Sequence, residues 1–203
     1  MKKDINRFLS EDLLHEYLLL LSPDESVCGK IKQEKEIFAE KLECPSCLHI
    51  KPHITLINFV QYKTMEKRFM LRMEQFAIGI KPFSISLYNF GSFPSHTIFI
   101  NIQTKNNIVQ MVKDMRDLKF PIKIDKERHP HYIMEPHITL ARRLEPWQYE
   151  KGWLEWSRRD FNAAFTVNNM ILLRRKTSSS PCIKLAEFKF KGIKEKTIQA
   201  TLF

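Results

Sequence analysis

The chain has 203 residues, 43% of them hydrophobic, and only 5 Gly and 10 Pro, which excludes collagen-like, low-complexity and wholly disordered classes. Lys plus Arg number 33 against 23 Asp plus Glu, a formal net charge of +10 that favours a polyanionic partner such as nucleic acid or another phosphate ester. No stretch approaches the ~20 apolar residues of a membrane span, no export signal is visible, and four cysteines are too few for a disulfide scaffold, so the expectation is a reduced, cytoplasmic protein without a membrane partner.

In chain order, Tyr17-Leu18-Leu19-Leu20-Leu21 reads as a buried strand. Ser22-Pro23-Asp24-Glu25 then supplies an N-cap at Ser22, Pro at the first helical position and an acid at the third, predicting a helix to about Leu42 with Ile31, Phe38 and Leu42 inward and Lys32, Glu36 and Glu40 in water. A second helix is expected from about Thr64 to Ala77, with Met65, Phe69, Met73 and Phe76 on one face. Alternating runs at 83–87 and 96–102 predict a hairpin around a loop holding Gly91 and Pro94. Further helices fit 106–118 and 147–159, and two strand-like runs, 165–173 and 183–190, close the chain. Helices and strands intermix throughout, so the class is α+β with mostly antiparallel pairing.

One motif stands above composition. Pro52-His53-Ile54-Thr55-Leu56 recurs letter for letter as Pro136-His137-Ile138-Thr139-Leu140. Such a repeat arises by chance with a probability on the order of one in a hundred, and it fits two related lobes. Strand side chains alternate, so His and Thr at i and i+2 project from one face while Ile and Leu project from the other. Two such strands facing a cleft would supply two imidazoles and two hydroxyls. One imidazole can take a proton from the attacking oxygen and the other give one to the leaving oxygen, while the threonines hydrogen-bond non-bridging phosphate oxygens. This is chemistry for a phosphate ester that requires neither metal nor cofactor.

The two His-x-Thr-x elements in a chain of this length resemble the two-histidine phosphoesterase superfamily, and the order of elements is similar to its LigT-like branch, the 2'-5' RNA ligase or RNA 2',3'-cyclic phosphodiesterase proteins. The strand before a long helix, the Pro before each histidine and Leu140-Ala141-Arg142 after the second motif share in the resemblance, which extends loosely from residue 15 to 191. It implies one bilobal domain over residues 1–203, with 1–14 an N-terminal extension and two mostly antiparallel sheets around a central cleft. It implies metal-independent opening of a 2',3'-cyclic phosphate at an RNA end, giving a 2'-phosphate. By that analogy His53 is the acid and His137 the base. The same site could act on a small cyclic nucleotide, a 2',5'-linked oligonucleotide or an ADP-ribose cyclic phosphate, or run in reverse as a ligase. A non-catalytic RNA-end binding module is the alternative from another class. A monomer without an obligate protein partner is expected.

Other residues keep two readings. Arg142 could contact phosphate or be a solvated arginine. Tyr62 is a candidate for stacking on a base, whereas Phe59 reads as core. Cys44-Pro45-Ser46-Cys47 reads as two ordinary thiols before a strand, with a redox pair or a zinc half-site completed by His129 and His131 as the alternatives. His96, His129 and His131 otherwise read as solvated.

Overall fold

The structure, a computed structural model, describes residues 13–117, 121–123, 128–176 and 180–193. The extension expected over residues 1–14 lies outside these apart from Leu13 and Leu14, and Leu14 already opens the first strand. Leu118, most of the charged segment before His129 and the centre of the turn after Lys176 also fall outside.

Among the described residues the strands are β1 (Leu14–Leu21), β2 (Ile54–Tyr62), β3 (Phe83–Phe93), β4 (Thr97–Ile102), β5 (His131–Tyr132), β6 (His137–Arg142), β7 (Asn162–Val167), β8 (Asn169–Arg175) and β9 (Ile183–Lys189). The α-helices are α1 (Glu25–Lys41), α2 (Glu66–Gly79), α3 (Lys105–Asp117) and α4 (Pro146–Trp156). Helix α1 starts later than the sequence predicts. Asp24, not Ser22, is its N-cap, with its carboxylate accepting from the Val27 amide at 2.9 Å, while the Ser22 hydroxyl donates to the Pro23 carbonyl.

All nine strands form one sheet in the order β7-β3-β4-β6-β2-β1-β8-β9, with β5 alongside β2, and every pairing is antiparallel. The two sheets expected from the sequence are thus halves of a single one, joined between β2 and β6 at the pair Ile54 and Ile138. Each half carries a strand, a helix, a motif strand and a helix, β1-α1-β2-α2 and β4-α3-β6-α4, with the short β5 inserted between α3 and β6 in the second. The outer strands are also tied. The apolar run 165–173 is two strands interrupted by Asn168, so β7 on one edge passes through a single residue into β8, next to the opposite edge. The sheet must curl for its ends to meet.

The hairpin is tighter than its sequence suggests. Gly91 lies within β3, paired with Phe99 of β4, and the turn is left to Pro94, Ser95 and His96, with Ser95 at φ 72°. Beneath one half, Tyr17 stacks on Phe59 at 5.1 Å and meets the edge of Phe69 at 5.0 Å. This settles Phe59 in the core. Beneath the other, Phe38 of α1 packs on Trp156 of α4 at 4.7 Å. A Cβ on Gly152 would come within 2.8 Å of Leu42 and 3.0 Å of Phe38, so glycine is what allows α4 to lie this close to α1.

Candidate active site

In an antiparallel pair, directly opposed residues point to the same side. Ile54 and Ile138 are opposed and fully buried, so the His and Thr flanking each of them emerge together on the other face. Both motif strands then carry a β-bulge at the same position. Leu20 pairs with Thr55 and Leu19 with Ile57, leaving Leu56 extra; Phe99 pairs with Thr139 and Ile98 with Ala141, leaving Leu140 extra. Each bulge lets two successive residues, Leu56 with Ile57 and Leu140 with Ala141, enter the core. It also resets the alternation, so that the third residue after each threonine, Asn58 on β2 and Arg142 on β6, returns to the face of the histidines.

The two imidazoles are held alike. Nδ1 of His53 donates to the Lys51 carbonyl at 2.7 Å, and Nδ1 of His137 donates to the Glu135 carbonyl at 2.8 Å. A carbonyl can only accept, so in each neutral ring the proton sits on Nδ1 and Nε2 carries the lone pair. The exposed His96 makes a similar contact with the Pro94 carbonyl, so this bond belongs to local strand geometry. The surroundings set the motif histidines apart. Burial pushes the His53 pKa down, with Lys35, Arg142 and His137 adding to the depression and the Lys51 hydrogen bond opposing it. Burial also lowers that of His137, with Lys105 adding and Glu135 opposing. His137 is further walled by Phe93 and Phe99, each ring 5.0 Å from its own.

Thr55 and Thr139 are half-buried, and among the described residues neither hydroxyl has a protein hydrogen-bond partner. Arg142 is likewise unpaired there, while its charge acts on His53 and on Glu16. Glu16 itself is clasped by Arg175, with Nε to Oε2 at 2.7 Å and the terminal nitrogen to Oε1 at 2.6 Å, and accepts from the Asn58 amide at 3.0 Å. These contacts hold its carboxyl below the usual range. The sequence offered no signal for Asn58 or Glu16, because the bulge that turns Asn58 toward the histidines is invisible in a run of β-formers.

Lys35 is the other residue that sequence reasoning missed. It lies on the buried side of α1, 1% exposed, with its ammonium donating to the Cys47 carbonyl at 3.2 Å, and burial brings its pKa down to about 8. Cys44 and Cys47 are both buried around the short 3₁₀ turn Pro45–His49 that leads into His53. The Cys47 thiol donates to the Lys35 carbonyl, and burial pushes its pKa up to about 11. Among the described residues no three His, Cys, Asp or Glu side chains converge as a metal site, and His129 is an exposed residue outside the strands. His131 opens β5 opposite Asn58 and therefore shares the face of the histidines. Tyr62 shares it too, but ends β2, roughly 20 Å along the strand from Thr55, so the structure does not bring it to the histidines.

The model of the family described as "2'-5' RNA ligase superfamily" matches residues 23–178, a span containing both motifs. The chain belongs to this superfamily of two-histidine phosphoesterases. Solved structures agree on the fold. The protein TT0787 of Thermus thermophilus superposes with a TM-score of 0.64 at 18% identity, covering 87% of this chain and 98% of that one. E. coli LigT complexed with 3'-AMP gives 0.61 at 15% identity over 87% and 98%, and LigT complexed with NADP+ gives 0.60 at 15% over 88% and 99%. No curated protein sequence gives a significant match. Membership supports an enzyme of the phosphodiesterase or RNA-ligase type. No helix among the described residues is long and apolar enough to cross a membrane.

Proposed function

We propose that the protein is a cytoplasmic, monomeric phosphodiesterase that opens 2',3'-cyclic phosphate ends of RNA to a 2'-phosphate without a metal. One observation carries this reading: two histidines on one face of the sheet, each tied at Nδ1, leave two Nε2 atoms for the two proton transfers such an opening needs. In this scheme the neutral imidazole takes a proton from water as it attacks phosphorus, and the protonated one gives its proton to the departing ribose 3'-oxygen. Following the family analogy, His137 is the base and His53 the acid. Ligation would use the same groups in reverse. The Thr55 and Thr139 hydroxyls, without protein partners among the described residues, donate to the non-bridging oxygens, and Arg142 offsets their charge.

The test is product analysis with a short RNA ending in a 2',3'-cyclic phosphate, in excess chelator, for the native chain, His53→Ala and His137→Ala. A 2'-phosphate product, reduced about 10²- to 10⁴-fold in each variant, supports the scheme. Binding without product from the native chain would move the assignment to a non-catalytic RNA-end module, and product from a different cyclic ester would move the substrate.

A further inference from the structure

Asn58 and Arg142 occupy equivalent places on the two motif strands, each the third residue after its threonine, each returned to the active face by a bulge. Their chemistry differs: a guanidinium on one strand, a neutral amide on the other. The amide has a fixed orientation. Its partner, Glu16, is ionised against Arg175 and can only accept, so the Asn58 nitrogen must face it at 3.0 Å. Oδ1 is then the atom left over. Among the described residues it has no protein partner and is not sealed from solvent. It is a preset acceptor one strand repeat beyond Thr55, with His131 of β5 directly across from it.

We infer that Asn58, held by Glu16 and Arg175, is a specificity residue whose amide oxygen accepts a hydrogen bond from the amino group of the nucleobase next to the reacting phosphate. The inference rests on the proposed cyclic-phosphate substrate. In such an end both hydroxyls of the terminal ribose are esterified, so the donors left on the terminal nucleotide itself belong to its base. An acceptor beside a carboxylate favours the amino edge of adenine or cytosine over the carbonyl edges of uracil.

The experiment compares adenosine 2',3'-cyclic phosphate with its N6,N6-dimethyl analogue, which has no amino donor, on the native protein and on Asn58→Ala. The native protein should show a KM about tenfold lower for the parent compound, and Asn58→Ala should erase most of that ratio. An equal KM for both compounds on the native protein, or a ratio unchanged by Asn58→Ala, overturns the inference and leaves the proposed reaction standing. The native comparison needs no variant, so a misfolded Asn58→Ala does not blunt it. Equilibrium binding of adenosine 2'-monophosphate and its dimethyl analogue separates the two readings the other way: an Asn58-dependent preference without turnover keeps the specificity residue and removes the reaction.

Discussion

The ring of Phe99 lies where a side chain on Gly91 would have to be: a Cβ built there meets Phe99 Cε2 at 2.6 Å and the Asn101 amide oxygen at 2.6 Å. Phe99 in turn packs against His137. Gly91→Ala must therefore displace the Asn101 amide and the phenyl ring that walls His137, or push the strands apart. Kinetics of this variant should show kcat reduced about tenfold or more, with a melting curve still cooperative. A variant with native kcat would mean that Phe99 does not set the position of His137.

Both histidines have pKa values depressed below the ordinary imidazole value of about 6.5. In the free enzyme the base is therefore available at unusually low pH, and the acid loses its proton before neutrality. The bell-shaped profile of kcat/KM should peak on the acid side of about pH 6.5. Bound phosphate, being negative, favours both imidazoliums, so the kcat profile should move to higher pH. A kcat/KM optimum well above neutrality would contradict the burial seen here.

Lys35 links that profile to stability. Its folded pKa of about 8 lies below the unfolded value of about 10.4, so between these the unfolded chain binds the extra proton and stability rises with pH. Below about pH 8, carrying the charge in its buried position costs about 3 kcal/mol. Thermal melts of Lys35→Met should match or exceed the native protein at pH 7 and lose ground to it by pH 10. A gap constant with pH would show that Lys35 does not titrate in this window. Removing this cation should also raise the His53 pKa, moving one limb of the activity profile upward.

Among the described residues Arg142 is a guanidinium on the active face without a hydrogen-bond or ion-pair partner. Loss of a charge-assisted contact to phosphate is worth roughly ten- to a hundredfold, so Arg142→Ala should raise KM by about that factor while leaving the product the same. Steady-state kinetics at two salt concentrations checks it: the native KM should rise with salt more steeply than that of the variant.

The repeated pentapeptide made the pair of histidines, their threonine neighbours and the strand beneath them legible, because alternation alone decides which side chains share a face. What alternation cannot show is where it is broken. Leu56-Ile57 and Leu140-Ala141 read as ordinary strand residues, yet the extra residue at each bulge decides that Asn58 and Arg142 face the site. Lys35 was hidden for a similar reason: a lysine in an amphipathic helix reads as solvated until a carbonyl from another segment, here that of Cys47, is placed above it. Gly91 read as a loop because a glycine between polar residues signals a turn, whereas its lack of a side chain serves a close approach inside β3. The break at Asn168 leaves no mark in the apolar run around it.

That break bears on how the active site keeps its shape. The two halves of the sheet meet at Ile54 and Ile138 and are tethered through Asn168, while α1 is braced against α4 by Lys41 on Glu155 and against the segment after α4 by Arg159 on Glu34, both at 2.7 Å. A body fastened at three separate places resists rotation about any one of them. Such fastening opposes hinging of one motif strand against the other, so the two histidines move as parts of one body.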